Sequence, residues 1–80
     1  MYYVYILVSS VDPDKHYVGL TQNLEVRIDT HNSGQSVYTN KFKPWKIKNY
    51  IAFTDKDAAV VFEKYLKTGS GHAFLKKYLL

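Results

Sequence analysis

The sequence predicts an α+β domain in which a β-hairpin feeds a helix and a third strand is followed by two more helices. Three stretches carry that expectation. Tyr2-Tyr3-Val4-Tyr5-Ile6-Leu7-Val8 is an unbroken aromatic and aliphatic run rich in β-formers, as in a strand covered on both faces. Asp12-Pro13-Asp14 separates it from a second short run, Lys15 to Leu20. That spacer is turn chemistry, because proline presets its own φ and the flanking carboxylates bond local backbone. Trp45 to Phe53, opened by Pro44, alternates apolar and polar residues as a half-buried strand does.

In the hairpin, Tyr5 and Tyr17 fall on neighbouring antiparallel strands, where a shared face brings their hydroxyls to a common point. Gly19 has no side chain to obstruct a ligand or another backbone. Thr21 and Asn23 compete to cap the helix that follows. Along it, Leu20, Leu24 and Ile28 recur at four as an apolar stripe, while Asn23, Arg27 and His31 recur at four as a polar one. Gly34 ends this helix.

Gln35 to Lys43 reads as an irregular or weakly helical connection. Lys41 and Lys43 interleave there with Tyr38 and Phe42, a pattern suited to phosphate contact and base stacking, and equally to an ordinary polar loop. In the third strand Trp45, Ile47 and Asn49 are expected on one side and Lys46, Lys48 and Tyr50 on the other. Thr54-Asp55-Lys56-Asp57 starts the next helix, which runs to about Thr68. Ala59, Phe62, Glu63 and Leu66 share one helical face, so Glu63 sits in or beside an apolar stripe. A carboxylate avoids that place unless a cation, a metal or a hydrogen-bond network awaits it. The alternative is an exposed i, i+4 pair with Lys67. Gly69-Ser70-Gly71 is expected to break the helix. His72 to Leu80 would close the fold with Phe74, Leu75 and Tyr78 inward, Lys76 and Lys77 outward, and His72 at the surface.

Eighty residues, 46% of them hydrophobic, suffice for one domain over residues 1–80. A chain of this size buries only about 60% of its unfolded surface, so its margin of stability is thin. Eight tyrosines, four phenylalanines and one tryptophan supply large pieces of core. The absence of cysteine excludes a disulfide framework and a thiolate metal site, and fits a reducing cytoplasm. No apolar run reaches the length of a membrane span, so no membrane partner is expected. A formal charge of +4 favours polyanionic partners.

Tyr3-Val4-Tyr5, then Tyr17-Val18-Gly19, Asn23-Leu24, Arg27, His31 and, within the stretch Phe62 to Gly71, Glu63 form an ordered set that resembles the signature of the GIY-YIG nuclease superfamily across essentially the whole chain. The resemblance implies a small three-stranded antiparallel β-sheet flanked by helices, in the order β-β-α-(α)-β-α-α. It implies a metal-dependent endonuclease that hydrolyses DNA phosphodiesters, with RNA not excluded and DNA repair as one setting. Carried over by position, Tyr5, Tyr17, Arg27, His31 and Glu63 are the catalytic set, and Glu63 is the ligand of Mg²⁺ or Mn²⁺. Lys41, Lys43, Lys46 and Lys67 are the expected contacts to nucleic acid, for a monomer or a homodimer. Three positions depart from the pattern: Tyr3 replaces a Gly, Val18 replaces an Ile, and Leu20 stands where some subgroups have a catalytic Lys.

The residue types suit the chemistry. A single carboxylate completed by water and phosphate oxygens matches Mg²⁺. Arg27 can grip a phosphate through two parallel donors and oppose charge developing on it. Tyr17 or Tyr5, with a phenol lowered from about 10 by nearby positive charge, or His31, is the base. Were these side chains not to converge, the chain would read instead as a non-catalytic nucleic-acid-binding module or a protein-interaction domain whose tyrosines are core.

Overall fold

A computed structural model describes residues 1–34 and 37–80 of the chain. β1 (Tyr2–Ser9) and β2 (His16–Thr21) form the antiparallel hairpin. Its turn is tied by side chains as the sequence predicts: Asp12 Oδ1 accepts from the Asp14 N–H at 3.2 Å, and the Asp12 carbonyl accepts from the Lys15 N–H at 2.9 Å. The Ser9 hydroxyl adds two more bonds, accepting from the N–H groups of Val11 and Asp12, each at 3.1 Å. β3 (Trp45–Phe53) pairs antiparallel with the other edge of β1, giving the order β2-β1-β3. β1 is therefore the central strand, which is why its apolar run is unbroken.

α1 (Leu24–Asn32) and the short α2 (Val37–Lys41) cover one face of the sheet. Gln35 and Ser36, with which the expected connection begins, lie outside the described residues. On the α1 face Tyr5, Leu7 and Trp45 are buried beneath Tyr17, Leu24, Ile28 and Phe42. α3 (Lys56–Leu66), α4 (Gly69–Phe74) and a π-helical turn, Leu75–Leu79, cover the other. There Val4, Ile6 and Val18 pack against Ala59, Leu66, Leu75 and Leu79. The helices begin where capping side chains stand. Asn23 caps α1 by accepting from Val26 N–H at 3.1 Å, and the Thr21 hydroxyl in turn accepts from Asn23 N–H at 3.1 Å, so both candidates take part. Asp55 caps α3 through Ala58 N–H at 3.0 Å.

Four local expectations are corrected. Leu20 packs with the α3 side, because it still belongs to β2 and follows the two-residue alternation of a strand, opposite Val4. In β3 a bulge intervenes: Ile6 pairs with Asn49 but Leu7 with Ile47, leaving Lys48 as the extra residue. Beyond it the alternation is inverted, so Tyr50 joins the Trp45 side and meets Tyr3 edge-on at 5.8 Å, while Asn49 turns to the α3 side with Lys46. Gly69-Ser70-Gly71 starts α4 instead of only ending α3, because the Thr68 hydroxyl accepts from Gly71 N–H at 3.1 Å. Gly71 lies so close to the Tyr65 carbonyl that a Cβ would overlap it. Finally, Tyr78 is exposed and Leu79 is buried, since the wide turn closed by Leu80 N–H to the Leu75 carbonyl at 3.0 Å advances the inward face by one residue.

Candidate active site

The hairpin register sets the geometry. Tyr5 pairs with Gly19 and Leu7 with Tyr17, so Tyr5 and Tyr17 share the α1 face, their ring centroids 6.3 Å apart. A Cβ at position 19 would overlap the Tyr5 phenol. Glycine there lets the ring lie across β2.

Arg27 and His31, one turn apart on α1, both reach that phenol. Arg27 Nε donates to the Tyr5 hydroxyl at 3.2 Å, and the hydroxyl lies 2.9 Å from His31 Nε2. A guanidinium can only donate, so the Tyr5 oxygen accepts from Arg27 and its own proton is available to His31 Nε2. The network then assigns the His31 proton to Nδ1, which donates to the Thr39 hydroxyl at 3.0 Å. His31 is wholly buried. Behind it, the Thr39 carbonyl accepts from Trp45 Nε1 at 2.6 Å. Asn32 grips the backbone of Trp45 from both sides, Oδ1 accepting at 2.6 Å and Nδ2 donating at 3.1 Å. α2 and the first residue of β3 thus brace the imidazole that orients Tyr5.

Thr39, Asn32 and the bracing role of Trp45 are absent from the sequence expectations. Thr39 stands in a stretch with no clear periodicity, and only the notice of aromatics there points toward it. Tyr38, from the same stretch, faces Tyr17 with centroids 6.1 Å apart, and Tyr17 in turn lies 4.7 Å from the His31 ring.

Burial raises the Tyr5 pKa above its ordinary value, only partly opposed by Arg27, and the nearby Tyr17 and Glu63 push it the same way as burial. The neighbouring guanidinium does lower this phenol, as expected, but burial outweighs it. Burial, and then the Arg27 charge, lowers the His31 pKa, so the imidazole is held neutral. The bond to Tyr5 leads the causes that raise Arg27, with burial opposing it and Tyr17 assisting, so the guanidinium stays charged. The result is a fixed cation on a hydrogen-bonded relay that carries no other charge.

Glu63 arrives by another route. It belongs to α3, on the opposite face of the sheet, and is 18% exposed and paired at 2.8 Å with Lys67, which is 54% exposed. Lys67 and Tyr17 line one cleft at the exposed edge of β2. The structure brings Tyr5, Tyr17, Arg27 and His31 together on the α1 face, whereas Glu63 does not join that hydrogen-bonded group and acts on it only through its charge at Tyr5. Among the four expected nucleic-acid contacts, Lys67 borders Tyr17, while Lys41 and Lys43 are exposed at the end of α2 and just beyond it. Lys46 pairs with Val8 and lines a separate cleft on the α4 side. Among the described residues no three ligating side chains cluster. One carboxylate still fits a hard cation such as Mg²⁺, which retains water and takes the rest of its oxygens from a substrate phosphate.

Tyr5, Tyr17, Arg27 and His31 thus gather on one face of a three-stranded antiparallel sheet, with the Glu63–Lys67 pair carried by the helix on the other. The chain belongs to the GIY-YIG catalytic domain family, whose model matches residues 1–78, and so to a nuclease superfamily. It is 36% identical over 76 residues to a UPF0213 protein of Staphylococcus haemolyticus, covering 94% of this chain and 90% of that one. With a UPF0213 protein of Lactiplantibacillus plantarum it shares 36% identity over 78 residues, covering 94% and 75%. The solution structure of the UPF0213 protein BH0048 from Bacillus halodurans superposes with a TM-score of 0.56 at 30% identity, covering 96% of this chain and 84% of that one.

Proposed function

We propose that the protein is a metal-dependent endonuclease acting on DNA phosphodiesters. The observation that carries this reading is the buried relay Arg27–Tyr5–His31–Thr39, which spends three hydrogen bonds on fixing one guanidinium beside Tyr17. Arg27 grips the scissile phosphate and opposes the negative charge that grows on its oxygens. Tyr5 and His31 are positioning residues: Tyr5 is buried with its phenol pushed up, and His31 is buried with both ring nitrogens engaged. Tyr17, half-buried and bordering the β2-edge cleft, is the group that can meet the attacking water and take or orient its proton. Glu63 would hold Mg²⁺ or Mn²⁺, which supplies Lewis-acid stabilisation to the phosphoryl group and the departing oxygen. Lys67, the present partner of Glu63, is then free to meet a neighbouring phosphate.

The test is nicking of plasmid, branched and single-stranded DNA by wild type, Arg27→Ala and Tyr17→Phe in Mg²⁺ or Mn²⁺. Loss of a positioned donor to transition-state charge costs about 10²- to 10³-fold, so Arg27→Ala should be near background. A wild type inert on every substrate, or variants as active as wild type, would overturn the reading.

A further inference from the structure

The cleft that borders Tyr17 does not end at the candidate site. It measures about 360 Å³, and His16 and His72 line it together with Tyr17 and Lys67. The same two histidines, with ring centroids 5.5 Å apart, also line a larger cleft of about 720 Å³ between the hairpin turn, the start of β3 and the C-terminal helical segment. Lys46, Lys48 and Lys76 line that larger cleft, in which Asp14 is the one acidic side chain among the described residues. All three lysines are exposed, and among the described residues none is in an ion pair. Lys48 is the bulge residue of β3, and a bulge is where a strand re-aims a side chain. Burial first, then the neighbouring His72 and Lys76, lower the His16 pKa.

We propose that the two clefts form one track for the phosphodiester backbone of a nucleic-acid strand. It leads from Tyr17 and Lys67, over the His16–His72 pair, to Lys46, Lys48 and Lys76 on the opposite side of the sheet. The choice of nucleic acid as the polyanion rests on the proposed function; the basic surface itself does not. The track extends contact well beyond the scissile phosphate and accounts for why Lys46 points away from Arg27.

Fluorescence anisotropy with labelled DNA and RNA oligonucleotides, single-stranded and duplex, over a salt series tests it. Lys48→Gln/Lys76→Gln should weaken binding at least about tenfold and flatten the slope of log affinity against log salt by about 1.5, each phosphate contact contributing about 0.7 to 0.9. The charge-matched Lys56→Gln/Lys64→Gln, whose lysines line neither cleft, should change affinity less than about threefold. His72→Asp, placing a negative charge on the shared wall, should weaken binding at least as much as the first pair. Equal losses in the two lysine pairs, or unchanged binding in His72→Asp, would overturn the track. If Arg27→Ala abolishes cleavage while Lys48→Gln/Lys76→Gln binds as wild type does, the track falls and the nuclease reading stands. If the track variants lose binding but wild type cleaves nothing, the nuclease reading falls and the track stands.

Discussion

The two faces of the sheet are built from the same three strands, yet they bury different chemistry. On the α3 side Val4, Ile6, Val18, Ala59, Leu66, Leu75 and Leu79 form an aliphatic core. The α1 side buries Tyr5, Leu7 and Trp45 together with a histidine and a threonine that are wholly enclosed. Aliphatic packing depends on volume and tolerates exchange among similar shapes. A polar core requires each donor to find its acceptor, and gains a unique geometry in return. The α3 face is held by the packing of aliphatic volume, while the α1 face uses its burial to hold Arg27, Tyr5 and His31 in one arrangement.

The largest expected effect breaks the aliphatic face alone. Leu75 is fully buried and lines neither cleft, so Leu75→Ala should lower stability by about 2–5 kcal/mol. That is a large share of the roughly 5–15 kcal/mol such domains possess. Urea denaturation should show it, with cleavage per folded molecule retained. On the other face, Gly19→Ala drives a methyl into the Tyr5 phenol and should cost about 1–3 kcal/mol. Cleavage should fall far more than stability does, because the displaced hydroxyl no longer meets Arg27 and His31. Equal proportional losses from the two substitutions would erase the contrast between the faces.

A smaller effect, specific to the polar face, is its response to acid. The folded pKa of His31 lies below its ordinary value of about 6.5. The unfolded chain therefore binds the proton more readily, so this stability is fully present above about pH 6.5 and is lost as pH falls from there toward the depressed folded value. His16 is shifted in the same direction and adds to the trend. His31→Gln should cost about 1–2 kcal/mol at pH 8, through lost bonds to Tyr5 and Thr39, and should flatten the dependence between pH 5 and 7. Urea midpoints at a series of pH values measure both. A slope unchanged in His31→Gln would assign the acid response elsewhere.

Much of this contrast is legible in the sequence because it rests on local rules. The hairpin, both caps of the first two long helices, and the positions of Arg27 and His31 four apart follow from turn chemistry and periodicity. The site residues on the α1 face are legible only as an ordered set, since each tyrosine alone is ordinary core. What escapes is set by tertiary register. The Lys48 bulge inverts the faces of β3, and nothing in an alternating run announces where an extra residue enters. The π-helical turn exchanges Tyr78 for Leu79 in the same way. Thr39 and Asn32 escape because their partners, His31 and the Trp45 backbone, meet them through folding of a connection without periodicity.

The smallest expected change in stability belongs to the residue that crosses the comparison. Glu63 is carried by α3, the structural side, yet its field is felt at Tyr5 and its partner Lys67 shares a cleft with Tyr17. With Lys67 largely exposed, the ion pair is screened, and Glu63→Gln should alter stability by under about 1 kcal/mol. The same change removes a negative charge beside the expected path of the phosphates. Nucleic-acid binding in the absence of divalent ions should therefore hold or tighten, while Mg²⁺- or Mn²⁺-dependent nicking should be lost. Measured side by side, stability, binding and cleavage separate two roles that one carboxylate can have. Unchanged cleavage with a small stability shift would return Glu63 to the α3 face as a helix-surface ion-pair partner. Lost cleavage with stability intact would make it the one group that joins the two sides of the sheet in a single function.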